Sequence, residues 1–295
     1  MNKKLIWIFV ALAVAVTAIG LLSRPRYKNI EGWDAAQNKF VREFLYDTRA
    51  LPGRRVAVLD IDGTMIGQVP YYLADEAMLS YAAENEMSDV RRAVIDHMLA
   101  TDDTASDTYT RNRLVFLAGM TPDEQSEMGA RVWAEKYGAK KVYPEIRETV
   151  RNLKRFGYEI YGITCSPEFL YRDVVMEYFG IPAENIVGAR GTVENGIMTD
   201  RAVEPFPCHA GKAEYIRTHI KTAPLIAVGN SGGDSAMLAT SKGIKIWVNS
   251  DEKLAEECGR DKKCIVTYSH DIDTGADYTA RKTKLKQNKA SPKND

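Results

Sequence analysis

The stretch Val56-Ala57-Val58-Leu59-Asp60-Ile61-Asp62-Gly63-Thr64 decides how this chain is read. A short apolar run of this kind marks a strand buried on both faces, and the polar residues after it stand at its carboxyl end. Two carboxylates two residues apart, with a glycine that lets the backbone turn, can divide labour: one attacks, the other transfers a proton. If the target is phosphorus, neither carboxylate approaches an anionic phosphate unaided, so the chemistry demands a cation, a lysine and hydrogen-bond donors. A surface turn is the plainer alternative, since Asp and Gly are common turn formers.

Later segments supply what is demanded. Glu159 to Thr164 (EIYGIT) reads as a second strand, followed by Ser166, Pro167 and a helix from Glu168 to Phe179 whose amino terminus can bind phosphate oxygens. Thr164 is an ordinary cap or a hydroxyl at the same sheet edge. Lys212 opens a helix, where a cation opposes the dipole unless an anion lies in front of it; a solvated lysine is the alternative. A strand over Leu225 to Val228 runs into Gly229-Asn230-Ser231-Gly232-Gly233-Asp234, whose Asn and Asp oxygens on a glycine-rich loop suit magnesium. Helix and strand alternate through this half: Pro144 to Phe156 is helical, Asn195-Gly196 is a hairpin turn, and a helix near Ser235 precedes a strand over Ile244 to Val248. The fold class that follows is α/β, a parallel sheet with helices on both faces and ligands outside the carboxyl ends of its strands. Asp34 to Asp47 reads as a lead-in helix, and Gly67 to Gly138 is almost wholly helical, with breaks at Thr101 to Asp107 and Thr121-Pro122, so a helical module is inserted after the first strand.

In their order and spacing, Asp60-x-Asp62-Gly63-Thr64, Thr164, Lys212 and Gly229-Asn230-x-x-x-Asp234 resemble the four motifs of the haloacid dehalogenase superfamily of phosphohydrolases, in particular its phosphoserine-phosphatase-like branch. The resemblance implies a Rossmann-like core with an inserted helical cap domain. It implies Asp60 as nucleophile forming an aspartyl-phosphate, Asp62 as general acid and then base, and Thr164 and Lys212 as phosphate-binding residues. It also implies Mg2+ held by Asp60, the Asp62 main-chain carbonyl, Asn230 and Asp234. The sequence departs from the pattern twice. Asn230 stands where a carboxylate is usual, which removes one negative charge from the metal site. Gly67-Gln68-Val69-Pro70-Tyr71-Tyr72 lacks the glutamate that binds an amine in phosphoserine phosphatases, which argues against phosphoserine as substrate; Tyr71 and Tyr72 either contact a different leaving group or pack the cap. The expected activity is hydrolysis of a small phosphomonoester. A non-catalytic binding protein with a weakened metal site and a phosphotransferase using the same intermediate are the alternatives.

The chain has 295 residues, 40 basic and 40 acidic. Neutrality conceals a partition: Met1 to Lys28 and Arg281 to Asp295 each carry +5, which leaves −10 on residues 29–280. An acidic body argues against nucleic acid as partner. Leu5 to Leu22 is an uncharged apolar run of 18 residues behind Lys3 and Lys4. It reads as a membrane anchor or export signal, with the globular part outside the cytoplasm. The resulting organisation is an anchor or signal over 1–23, a lead-in helix over 24–54, a catalytic core over 55–66 and 141–270, a helical cap over 67–140, and a basic disordered tail over 271–295.

The remaining candidates carry less. Cys258 and Cys264 are spaced for a small disulfide loop, with two free thiols the alternative, and Cys165 reads as a small buried residue. His97, His209, His219 and His270 show no paired ligand spacing and read as surface or packing residues. Arg111 and Arg113, in the cap, meet either an anionic substrate or water; a solvated helix face is the expectation.

Overall fold

The computed structural model describes residues 25–68, 71–101, 103–104 and 106–269. Helix α1, Ala35–Thr48, starts at Asp34, whose side chain accepts from the Gln37 amide while the Gln37 side chain accepts from the Asp34 amide. The sheet is built on β1, Val56–Leu59, with every residue buried. Parallel neighbours are β2, Glu159–Pro167, on one side and β6, Ile226–Gly229, on the other. With β3 (Ile186–Ala189), β7 (Ile244–Val248) and β8 (Cys264–Thr267) the six strands run in the order β3-β2-β1-β6-β7-β8, all parallel.

Alternation along β1 sends its side chains to two cores. Ala57 and Leu59 join one that holds Leu45 of α1 and Ile146, Val150 and Leu153 of a helix at Pro144–Arg155. Val56 and Val58 join the other, with Ile216, Met237 and Leu254. Helices therefore cover both faces, which is why the central strands are apolar throughout. The short edge strands β3 and β8, and the helix Glu252–Gly259, are additions that the sequence reading does not contain.

Between β1 and the helix at Pro144–Arg155 lies the inserted module: α2, Leu73–Glu84; α3, Asp89–Ala100; α4, Asp107–Leu117; and α5, Pro122–Val132. Ser88, Ser106 and Thr121 accept at the amino termini of α3, α4 and α5, which sets the breaks expected near Thr101 and Thr121. The Pro144–Arg155 helix is α6, and α7 is Glu168–Phe179, ended by Gly180 in the left-handed conformation. Helix α5 lies hard against α7. A Cβ on Gly129 would stand 2.1 Å from the Leu170 carbonyl oxygen, and the Ser126 hydroxyl donates to the Phe169 carbonyl at 3.1 Å. The expected hairpin joins β4, Gly191–Glu194, to β5, Ile197–Ala202, through Asn195 and Gly196, both at positive φ.

All four cysteines are paired: Cys258 with Cys264, as its spacing suggests, and Cys165 with Cys208. Cys165 is thus not the simple buried thiol of the sequence reading; its partner is 43 residues away, a separation that carries no local signal. Among the described residues no helix is long and apolar enough to cross a membrane. The expected anchor at Leu5 to Leu22 and the basic tail lie outside the described residues, as does His270.

Candidate active site

Parallel register brings the sequence-predicted residues to one edge. Leu59 pairs with Gly162 and with Val228, and the Asp60 amide donates to the Val228 carbonyl at 3.0 Å. Asp60 therefore leaves the sheet beside the segments that carry Thr164 and Asn230. A cavity of about 100 Å³ opens there, and Asp60, Asp62, Thr164, Lys212, Asn230 and Asp234 all line it. Gly63 makes the turn: its φ is +75°, and a Cβ there would meet the Asn230 side chain at 2.1 Å.

Lys212, at the start of α8 (Ala210–Tyr215), bridges two carboxylates. Its Nζ donates to Asp60 Oδ1 at 2.5 Å and to Asp234 Oδ1 at 2.7 Å. All three groups are buried. Burial and then the Asp234 charge push the Asp60 carboxyl up to about 7, against the pull of Lys212. Burial works to discharge Lys212, but the Asp234 and Asp60 charges outweigh it and hold its pKa above the ordinary value. Asp234 Oδ2 accepts from the amides of Asn230 at 3.0 Å and Ser231 at 3.3 Å, so this carboxylate braces both the loop and Lys212.

The second oxygen of Asp60 accepts from the Thr64 hydroxyl at 2.9 Å, and Thr64 Oγ1 also lies 3.4 Å from Asn230 Oδ1. Asp60 Oδ2 and Asn230 Oδ1 are thus grouped around one hydroxyl, oxygen donors of the kind a hard divalent cation takes. Asp62 is held from the other side: its Oδ2 accepts from Ser166 Oγ at 2.7 Å and Thr164 Oγ1 at 3.3 Å, while Oδ1 is buried without a hydrogen-bond partner. Burial raises the Asp62 pKa, with hydrogen bonds from Ser166 and Tyr171 opposing.

Several lining residues correct the sequence reading. Arg113 faces the cavity and not solvent; it is 2% exposed and paired with buried Asp75 at 2.8 Å. It stacks between Tyr72 and Tyr109, 5.1 and 4.9 Å from their ring centroids, and the attraction of Asp75 keeps it charged despite burial. Arg111 does keep an exposed face, but pairs with Glu204 and covers the Phe206 ring. Of the two tyrosines, Tyr72 lines the cavity, whereas Tyr71 is buried in the cap and its carbonyl accepts from Tyr137. Gln68 lines the cavity at the position discussed for an amine-binding glutamate. His209 is a lining residue as well, with φ of 47°, rather than a plain surface histidine. The Cys165–Cys208 bridge ties the end of β2, which carries Thr164, to the segment before Lys212.

The sequence profile of the haloacid dehalogenase-like hydrolases matches residues 57–239. No curated protein matches the chain. Among solved structures, a conserved functionally unknown protein from Anaerococcus prevotii is similar with a TM-score of 0.62 and 14% identity, covering 80% of this chain and 92% of its own. A protein of unknown function from Bordetella pertussis gives 0.59 and 16%, covering 72% and 98%. A probable phosphoserine phosphatase from Vibrio cholerae gives 0.50 and 16%, covering 88% and 76%. At these identities the likeness is one of fold. With its profile match running from the first strand through the cap to the loop that bears Asp234, the chain belongs to the haloacid dehalogenase-like hydrolase family.

Proposed function

We propose that the protein is a magnesium-dependent phosphomonoester hydrolase acting through an aspartyl-phosphate on a small phosphorylated metabolite. The observation that carries this reading is Lys212 clamped between Asp60 and Asp234, with Asp62 two residues from Asp60 and held by Thr164 and Ser166. Asp60 attacks phosphorus, the bond to the leaving oxygen breaks, and Asp62 supplies that oxygen with a proton. Water then attacks the aspartyl-phosphate, gives its proton to Asp62, and releases inorganic phosphate. Thr164 and Lys212 hold the phosphoryl oxygens through both steps. The cavity, about 100 Å³, has the volume of roughly three water molecules, which supports a phosphoryl group on a small leaving group.

The residues fit the metal the family implies. Three carboxylates, Asp60, Asp62 and Asp234, line the cavity with one lysine, Lys212, which pairs with Asp60 and Asp234, so the cluster carries more negative than positive charge. The holding set would be Asp60, the Asp62 main-chain carbonyl, Asn230 and Asp234. Asp60 Oδ2 and Asn230 Oδ1 offer the direct oxygens, and Asp234 steadies the loop. When bound, the ion neutralises charge on the phosphoryl oxygens.

Release of p-nitrophenol from p-nitrophenyl phosphate by the purified protein, with Mg2+ and with EDTA, tests the reading. Turnover should need the metal and fall by at least about 1,000-fold in Asp60→Asn. Full activity in that variant would refute the mechanism. Asn230 favours a second reading, a phosphate-binding protein without turnover; phosphate binding with no metal-dependent release would support it. We also place the catalytic domain outside the cytoplasm, anchored through Leu5 to Leu22. Two disulfides support that placement, since such bonds persist in oxidising compartments.

A further inference from the structure

Ser166 and Tyr171 lie where the cap meets the core, and the directions of their hydrogen bonds follow from their partners. A guanidinium has donors only. Arg113 Nη1, from the cap, stands 3.3 Å from Ser166 Oγ, so Ser166 accepts there and its one hydroxyl proton goes to Asp62 Oδ2 at 2.7 Å. A backbone amide likewise only donates. The Ala74 amide, at the start of cap helix α2, stands 3.1 Å from the Tyr171 hydroxyl, which leaves the phenol proton for its neighbours Asp62 and Ser166. Thr164 repeats the pattern within the core, accepting from the Ser166 amide at 3.0 Å and facing Asp62 Oδ2 at 3.3 Å. Two buried hydroxyls, those of Ser166 and Thr164, thus meet at Asp62 Oδ2, and the Ser166 one is fixed in direction by a cap donor. Arg113 is itself held by Asp75, which accepts from Tyr109 at 2.8 Å. Asp62 Oδ1 is buried and has no hydrogen-bond partner.

We propose that Ser166 is a positioning residue that makes the orientation of Asp62 depend on the docked cap, so that acid assistance is available only while Arg113 is in place. The proposal rests on the reading of Asp62 as the general acid. It gives the inserted module a part in catalysis beyond enclosing the substrate.

The test compares kcat/KM, which reports the steps up to departure of the leaving group, for two substrates of the full chain. An alkyl phosphate needs a proton on its leaving oxygen; p-nitrophenyl phosphate departs as a stable anion without one. In Ser166→Ala the alkyl phosphate should lose at least about tenfold and p-nitrophenyl phosphate less than about threefold. The cap-side pair Asp75→Asn with Arg113→Gln, which removes both charges together, should show the same selective loss. Thermal melting checks that each variant is folded. Equal losses on both substrates, or no loss on either, in folded variants would overturn the positioning role. A wild-type protein inactive on both substrates would instead refute the phosphatase reading, and the proposal with it.

Discussion

Lys212 neutralises part of a cluster that burial makes expensive. Replacing it with Met leaves Asp60 and Asp234 facing each other without their ammonium, at a cost of about 3 kcal/mol or more in metal-free buffer. Activity should fall at least about 100-fold as well. Melting curves with and without Mg2+ check the first part: the cation should recover some of the lost stability, because it binds only the folded site. Asn230 makes the complementary case. Asn230→Asp restores the missing negative charge, so the Mg2+ concentration giving half-maximal activity should drop roughly tenfold. An unchanged requirement in a metal titration would mean that Asn230 lies away from the ion.

At the scale of elements, the closures around the site are specific enough to test one at a time. Glu159, at the start of β2, takes a bidentate pair of hydrogen bonds from Arg54 at 2.8 Å, and these hold its carboxyl below the usual range. A depressed folded-state pKa stabilises fully above the ordinary value near 4.3 and loses that contribution as pH falls through the depressed one. Glu159→Gln should therefore lower the urea midpoint at pH 7 and match wild type in acid; the pair is half-exposed, so the effect is small. Gly129→Ala drives a methyl into the Leu170 carbonyl and should cost about 1–3 kcal/mol in a urea titration. Opening the Cys165–Cys208 bridge, by Cys208→Ser, unties the end of β2 that carries Thr164 from the segment before Lys212 and should weaken inhibition by inorganic phosphate several-fold. Which elements the sequence reveals follows the same logic. The helix Glu168–Phe179 and strands β1, β6 and β7 carry full apolar patterns bounded by Pro, Gly or Asp and are legible. Half of β3, Ile-Val-Gly-Ala, is small residues, and β8 is merely half-buried, so neither pattern stands out.

For the whole molecule, the catalytic motifs were readable because a parallel sheet collects strand ends, and Asp60, Thr164 and Asn230 each follow an apolar run. Arg113 was not. Helix α4, Asp-Thr-Tyr-Thr-Arg-Asn-Arg-Leu-Val-Phe-Leu, carries polar side chains around most of its circumference, and the Asp75 that permits Arg113 to be buried lies on another helix. Periodicity marks apolar faces and is blind to a charge neutralised across elements. The Cys165–Cys208 pairing escaped for the same reason, while Cys258 and Cys264 are near enough in the chain to suggest each other. The proposed placement outside the cytoplasm predicts that an alkaline phosphatase reporter fused at the carboxyl end is active; activity of a cytoplasmic reporter there instead would reverse the topology.

The seating of Gly129 on the Leu170 backbone also bears on how this protein can be re-engineered. Helix α5 meets α7 through backbone contact that admits no extra carbon, so these two surfaces are a matched pair. Residues Thr104, Thr110 and Arg113, which look onto the cavity, belong to the opposite part, around α4 and the segment before it. A chimera that exchanges substrate preference with a relative should transplant 89–117 and leave α5 with its native core, since a graft of the entire insertion would carry α5 into a foreign groove.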